Sequence, residues 1–485
     1  MSDGRNLATE PRPVAAIERF DLEADVVVVG LGIAGAGAAL DAAAAGADVL
    51  VLERAGGGGG TSAQSGGVIY LGGGTPVQQA CGFDDDPDEM FGYLMAATGP
   101  EPDEAKMRLF CDESVAHYHW FEQQAVPFKH SFFPEPSMEA PTDDCLVFTG
   151  GEDTWPYNEI ARPAARGHKP QTKAAAGGYL MQLLIAAVDK TSTRVEYDVM
   201  AETLVVEADG SVVGVVARRA GQELTIRARR GVILTAGGFV LNDEMVARHC
   251  PQVANCEWRL SAGGDDGRGI RMGQGVGGAA IRMDAAECAI PLTPPRRLVR
   301  GILVNRFGQR FINEDAYYGH IGQTSLFRQQ GKMFFIHDEE TYEVNDTGFE
   351  VSHVGETIEE LEREMELPEG TLQATIELYN RHAEKGEDPV FHKGREFLKP
   401  LTVSPFGAVD CSSDQVLYAT FTLGGLHTNV DSQVLTPDGS VIDGLYAAGR
   451  TTSGLAAFGY VSGISLADGS FFGRRAGVHA AARRG

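Results

Sequence analysis

The sequence has no paired cysteine motif, no long apolar run and no excess of basic charge. Its seven cysteines are odd in number and none stands in a CxxC arrangement. That excludes a zinc ribbon and a disulfide framework, leaving reduced thiols and no metal as the expectation. The apolar run Val26 to Leu40 is shorter than the ~20 apolar residues of a membrane span. Glycines interrupt it as well, so no transmembrane segment is expected. The first residues carry scattered charges and prolines rather than a basic start and an apolar stretch, so no secretory leader is read and a cytoplasmic location is expected. Lys and Arg number 41 against 67 Asp and Glu, a net charge of −26. Such a surface repels phosphate backbones and anionic membranes, so nucleic acid is not an expected partner.

What remains is an ordinary globular composition. The 485 residues are 43% hydrophobic and 22% charged, enough for roughly three domain-sized units. Residues 1 to 22 read as an irregular arm. Asp25 to Val29 is a β-branched run suited to a strand buried on both faces. It turns through Gly30, Gly32 and Gly35 into an Ala-rich helix over Ile33 to Ala45, and Val49 to Leu52 reads as the next strand. Segment 76 to 135 is helical in patches, with Trp120, Phe121, Phe128, Phe132 and Phe133 read as packing. A helix is expected over Gly178 to Val188. Glu202 to Glu207, Ser211 to Arg218 and Glu223 to Arg229 alternate like an antiparallel meander, with a turn at Asp209-Gly210. Gly231 to Gly238 reads as a further strand entering a glycine turn. From about 290 to 412 prolines and charge increase, with an acidic helix over Ile358 to Glu366, and from Thr420 the glycine-rich style resumes.

Gly30-Leu-Gly32-Ile-Ala-Gly35, set between a strand and a helix, is the dinucleotide fingerprint in its proper context. Its three glycines serve the tight turn, the backbone approach to pyrophosphate and close helix–strand packing. Glu53 follows about twenty residues later, placed for ribose hydroxyls. The small-residue stretch Gly57 to Gly67, with Thr235-Ala-Gly237 and Leu445 to Gly449, is the pattern of two-domain flavoproteins. No second nucleotide fingerprint is present, so direct use of NAD is not expected and the electron acceptor stays unknown.

On these residues, with Thr422-Leu-Gly-Gly425, Gly463 to Asp468 and Phe472 to Gly477, the chain resembles the fumarate reductase and succinate dehydrogenase flavoprotein superfamily from Ala24 to Gly477. The resemblance implies an α/β fold: a Rossmann-like FAD-binding domain with a β-meander. Residues 20–289 and 413–485 would form this discontinuous domain, and 290–412 an inserted, smaller α+β catalytic domain. It implies FAD held by Gly30, Gly32, Ile33, Ala34, Gly35, Glu53, Arg54, Gly60, Thr61, Ser62, Ser65, Gly66, Gly67, Ala236, Gly237, Asp266, Gly449 and Arg450. Ala201 would lie beside adenine, and Ser465 and Leu466 near the flavin ring. Arg54 to Gly67 contains no histidine, so attachment should be non-covalent. Arg450 replaces an acid that many relatives carry after Ala-Ala-Gly, which puts one ribityl contact in doubt.

The substrate site is read from replacements. Dicarboxylate-reducing relatives hold their substrate with Arg and His, whose charge and geometry suit carboxylates. Here Tyr318 stands four residues after Glu314 where they carry the catalytic Arg. Tyr460 replaces a second Arg, and Phe421 a His. A carboxylate would lack a partner there, so a neutral, apolar substrate is expected. This combination resembles the 3-ketosteroid dehydrogenase branch, and its Δ4-(5α) type more than its Δ1 type. The implied reaction is FAD-dependent dehydrogenation of 5α-saturated 3-ketosteroids to 4-ene-3-ketosteroids. Tyr460 would take the proton from carbon 4 while hydride leaves carbon 5; Tyr318 and Ser462 would assist, with Phe421, Gly424 and Gly425 at the substrate. Tyr317 is read first as packing, and His168 stays open between a substrate contact and a structural role. The alternatives are a Δ1-dehydrogenase, a fumarate-reductase-like enoate reductase, and an electron-transfer or scaffold subunit.

Overall fold

The computed structural model describes residues 10–135, 140–292, 296–344 and 348–484. Residues 1–9 of the expected arm, 293–295 of the expected second domain and Gly485 lie outside them. The strand Leu22–Val29 lies within a mixed sheet. It runs parallel to Val49–Leu52, with Val26 opposite Val49. On its other side it is parallel to the end of Gln222–Leu234, with Val29 opposite Leu234. Val26, Val27, Val28, Val49, Leu50 and Val51 are fully buried, as a β-branched run covered on both faces should be.

The meander forms from Val199–Val206, Val212–Arg219 and Gln222–Leu234, paired antiparallel. One expectation is corrected here: the separate strands read at Glu223 to Arg229 and Gly231 to Gly238 are a single strand of 13 residues. Arg229 and Arg230 look like a break. In the fold a register shift between Ala228 and Gly231 accommodates them, and Arg229 Nε donates to Asp25 Oδ1 at 2.8 Å. The strand's first half therefore belongs to the meander, and its second half is parallel to Leu22–Val29 and to Val441–Ala447.

The segment 76–135 resolves into helices Pro76–Ala80, Pro87–Ala97 and Glu104–Gln123, each begun by a Thr or Asp side chain that accepts from a first-turn amide. Further along, Ile302–Asn305, Met333–Asp338, Phe406–Asp410 and Val351–Gly355 form an antiparallel sheet in that spatial order. Helices Ile358–Glu364 and Thr371–Ala383 share its core through Leu361, Leu372, Ile376 and Phe406. Between this sheet and the main one, Ala286–Ala289 pairs antiparallel with Ala419–Thr422.

The terminal helix Ile464–Ala482 packs against the fingerprint helix Ile33–Ala44. Their backbones nearly touch: a Cβ on Gly473 would overlap the Ala34 carbonyl oxygen, and one on Gly477 that of Ala38. Ala34 faces Gly473 and Ala38 faces Gly477, so the two helices run parallel. Gly473→Ala should lower stability by about 1–3 kcal/mol through overpacking. The midpoint of chemical denaturation measures it, and an unchanged midpoint would show that the helices can part without cost.

Candidate active site

Gly30 leaves its strand at a φ of +101°, and a Cβ there would stand 2.7 Å from the Thr235 carbonyl oxygen. One on Gly35 would overlap the Gly30 oxygen, whereas one on Gly32 would meet Ser62 Oγ at 3.4 Å and then Gly59 O at 3.9 Å. The outer glycines are thus needed for packing, and the middle one borders a cleft. The helix starting at Ile33 has no side-chain cap of its own, so its first amides and positive end address that cleft. The Ile33 N–H donates to Ser62 Oγ at 3.2 Å. Glu53 accepts from the Leu31 and Ala55 N–H groups, each at 2.8 Å, fixing the carboxylate beside the turn.

The remaining small residues collect around the same cleft. Gly60, Thr61 and Ser62 form a short helix, Gly60–Gln64, and Ser65 Oγ accepts from the Gly67 N–H at 3.2 Å across Gly66. Ala201 lies on the meander, two residues beyond Val199, whose N–H binds the Glu53 carbonyl at 3.0 Å. Ala236 and Gly237 turn past Asp265, and a Cβ on Gly449 would come within 2.9 Å of the Ala34 Cβ. Gly449, Arg450, Ile464 and Ser465 line one continuous pocket, and Leu466 follows on the terminal helix. Side chains this small, an uncapped helix start and a carboxylate at the strand end fit a dinucleotide laid along the cleft.

Arg450 resolves differently from what its replacement of an acid suggests. Its Nη2 reaches both oxygens of Asp265 at 3.1 Å. Thr61 Oγ1 donates to the same carboxylate at 2.8 Å and the Gly238 N–H at 2.7 Å. Burial raises the Asp265 pKa, but Arg450 and these donors outweigh it and hold the group below the usual carboxylate range. Asp266, the acid expected here, instead pairs with Arg54 at 3.0 Å. Asp265 escaped notice because an Asp-Asp dyad in a glycine turn does not show which member is buried. The unmatched charge of Arg450 was the available signal.

The second cluster is aromatic. Tyr318 opens the helix Tyr318–Arg328 and Tyr317 caps it, their ring centroids 4.4 Å apart. Tyr460, in the turn before the terminal helix, meets Phe421 edge-on at 5.2 Å. Ser462 follows in that turn, its N–H donating to the Thr149 carbonyl at 3.2 Å. The Tyr318 phenol faces Ser462 and Tyr317; burial, the largest influence, holds it well above its usual pKa. Burial likewise pushes Tyr460 up to about 12, although Ser465 favours its ionised form. All these phenols are neutral at physiological pH. Gly424 and Gly425 are pressed between backbone segments, with Cβ positions that would collide with Arg282 and Thr451. The structure thus brings Tyr318, Tyr460, Ser462 and Phe421 together. It gives His168 two structural bonds instead, to Thr75 Oγ1 at 2.8 Å and the Arg166 carbonyl at 2.9 Å.

Sequence reasoning passed over three buried acids around this region. Burial raises Glu287 to about 8, Glu152 to about 7 and Asp468 to about 6. Each holds a proton in the folded state that the unfolded chain releases between its ordinary pKa and the raised one. Across that interval unfolding liberates protons, so the contribution of these groups to stability falls as pH rises. Four buried histidines, His117, His168, His320 and His337, are held below their usual value by burial and act the other way up to about 6.5, so the denaturation midpoint should decline only above that, between about pH 7 and pH 8. Glu287→Gln, neutral at every pH, should flatten the upper part of that decline; a parallel curve would contradict the raised value.

A family model for the FAD binding domain matches residues 25–466. The chain is 48% identical to the 3-ketosteroid-Δ4-(5α)-dehydrogenase of Rhodococcus jostii RHA1, whose crystal structure holds 4-androstene-3,17-dione. The match covers 98% of this chain and 100% of that one, with a TM-score of 0.93. It is 28% identical to a 3-oxo-5-alpha-steroid 4-dehydrogenase of Comamonas testosteroni, over 88% of this chain and 92% of the relative. It is also 28% identical to a probable fumarate reductase of Shewanella frigidimarina, over 94% of this chain and 74% of the relative. With the fingerprint cleft and the tyrosine pocket in place, the chain belongs to the FAD binding domain family of flavoproteins, in the branch that contains the 3-ketosteroid-Δ4-(5α)-dehydrogenases.

Proposed function

We infer that the chain is an FAD-dependent dehydrogenase that converts 5α-saturated 3-ketosteroids to 4-ene-3-ketosteroids. The observation that carries this is the pocket of Tyr318, Tyr460 and Phe421. The guanidinium over Phe421, Arg450 at 5.0 Å, is already held by both oxygens of Asp265. A dicarboxylate would find its charge poorly compensated there, whereas a ketosteroid buries apolar surface against rings. The relative of 48% identity with 4-androstene-3,17-dione bound supports the same substrate class.

FAD, when bound, supplies the two-electron acceptor for hydride. Gly30, Gly32, Gly35, Glu53, Thr61, Ser62, Gly237, Gly449 and Ser465 would hold it, with Ala201 toward the adenine end. Arg54 to Gly67 offers no His, Cys or Tyr as an attachment point, so the cofactor is held without a covalent bond from this loop. We assign residues 20–289 and 413–485 to its domain and 290–412 to an inserted substrate domain. The separate antiparallel sheet with its own core supports that division.

The 3-keto group acidifies the C4–H bond because the carbanion formed there is an enolate. Tyr460 takes that proton. As its phenol is neutral, it must give up its own proton in the same event, and Tyr318 and Ser462 would receive it. Backbone N–H groups near Gly424 and Gly463 would steady the ketone oxygen as charge develops.

Anaerobic mixing of the yellow protein with a 5α-saturated 3-ketosteroid should bleach the visible flavin band and yield a 4-ene-3-ketone. A 1-ene product would move the chain to the Δ1 type, and an unbleached flavin would remove the steroid reading. Tyr460→Phe should keep FAD but slow bleaching by about 10²–10⁴-fold. Acid precipitation should leave the yellow cofactor in the supernatant; colour retained in the pellet would contradict non-covalent binding.

A further inference from the structure

The terminal helix buries an acid that the reaction above does not use. Asp468 stands one turn beyond Ile464 and Ser465 and lines the same pocket as Gly449, Arg450 and Ser465. Its Oδ1 accepts from the Leu455 N–H at 3.0 Å. A Cβ on Gly454 would overlap all three carboxyl atoms, so the group lies flat against the backbone of the segment 449–456. Behind it is Lys106, from the helix Glu104–Gln123, which is 2% exposed. The Lys106 Nζ donates to Thr428 Oγ1 at 2.6 Å and lies 5.4 Å from the centre of the Phe472 ring. Phe472 follows Asp468 by one turn on the same helical face, so the ammonium reaches the helix on the side that carries the acid. Arg282 stands beyond it and donates to Ser453 Oγ at 3.1 Å, next to Gly454.

We propose that Asp468, held against Gly454 and Leu455 with Lys106 behind it, sets how strongly the bound flavin holds its electrons. This rests on FAD binding and not on the identity of the substrate. A hydride carries two electrons and one proton, so the pocket gains one negative charge when the cofactor accepts it. Like charges repel strongly where water is excluded. An ionised Asp468 therefore opposes that arrival and a neutral one does not. By reciprocity, the reduced cofactor strengthens the hold of Asp468 on a proton by the same factor. Where Asp468 starts ionised, one further proton then passes from solvent to its carboxylate as the cofactor is reduced. It returns to solvent when the acceptor takes the electrons. The helix start at Gly463 has no side-chain cap, and its positive end favours the added charge; Asp468, one turn in, offsets that influence only while ionised.

The surrounding groups fix the pH at which this operates. Burial, the largest influence, raises Asp468 to about 6, while Lys106 and the Leu455 amide favour its ionised form. Lys106 in turn feels Asp103, Asp468 and Arg282, and His427 feels all of these but Asp468 together with Lys106. On the pocket side Arg450 is tied to Asp265, and Tyr460, raised to about 12, is neutral. Glu287, raised to about 8, acts on Tyr460 from the far side. Every one of these groups is shared by the wild type and Asp468→Asn, so their own titrations cancel when the two are compared.

The test uses the FAD-loaded protein without steroid. The midpoint potentials of the wild type and Asp468→Asn are measured against reference dyes from about pH 5 to about pH 8. At the acid end the two should coincide. As pH rises through about 6 the wild type should fall below the variant, and at the alkaline end its reduction should be about tenfold less favourable, which for two electrons is about 30 mV. In a Lys106→Met background, where the carboxyl loses its cation, the gap between Asp468 and Asn should open at higher pH. Infrared difference spectra taken on reduction near pH 6.5 should gain a protonated-carboxyl band in the wild type that Asp468→Asn lacks. Potentials that coincide at every pH would overturn the proposal, as would an offset already complete at the acid end, which marks altered packing rather than charge. If Asp468→Asn does not retain FAD, the wild type and Lys106→Met decide. A reduction-induced carboxyl band that persists to higher pH in Lys106→Met supports the proposal, and an absent band or one indifferent to Lys106 overturns it. A protein that shows the pH-dependent gap but is not bleached by a ketosteroid loses the dehydrogenase reading alone.

Discussion

The near contact between the fingerprint helix and the terminal helix is the constraint on which the site depends. Gly473 and Gly477 let the second backbone lie on the carbonyls of Ala34 and Ala38. Because the helices are parallel, both positive ends open on the same side. Gly469 packs level with Ile33 and Ala34, so the terminal helix extends about five residues, or about 7 Å, past the start of its partner. One helix start therefore faces the pyrophosphate position of the fingerprint and the other lies farther along the cleft, where Ser465 and Tyr460 stand. The distance between cofactor cradle and tyrosine pocket is set by this pair of helices more than by the loops around them.

Charge is managed in two ways inside the molecule. Where the structure buries ionised groups it pairs them: Arg166 with Asp85 at 2.6 Å, and Arg310 with Glu314 and Asp388 at 2.8 and 2.9 Å. These pairs hold segments together, and their weight lies in what would be lost by removing one partner. Around the tyrosines the opposite holds. Glu287 has no cationic partner among the described residues and its burial favours the neutral acid, as burial also favours the neutral phenols. Arg450 reaches the edge of this pocket, but Asp265 neutralises it there.

The parts legible in the sequence were those fixed by short-range sterics or by distance from a motif. Gly30, Gly32 and Gly35 could be interpreted because each answers a local geometric demand that the fold imposes. Tyr318 and Tyr460 were found by counting from Asn313-Glu314 and from Ser465, and the fold brings them to one pocket with Ser462. What stayed hidden depends on partners distant in sequence. The single strand Gln222–Leu234 looked like two because the bond that settles Arg229 comes from Asp25, some two hundred residues away. Asp265 matters through Arg450, and Tyr317 was first read as packing although it lies between Tyr318 and Glu287. An acid within Ala-Glu-Cys-Ala-Ile was the one visible sign of Glu287, and a lone acid in an apolar strand does not reveal what it faces.

The neutrality of the pocket constrains both the substrate and the path of the proton. In a site of low polarity, moving an isolated charge is costly because water is not there to follow it. A dianion would bring charge in, and a free phenolate would create it beside the substrate. A ketosteroid brings none. When its C5 hydrogen departs as hydride, the C4 proton must leave in concert or the ring system carries the charge. A chain of neutral hydroxyls meets that demand, because each oxygen exchanges one proton for another and no intermediate oxygen stays ionised.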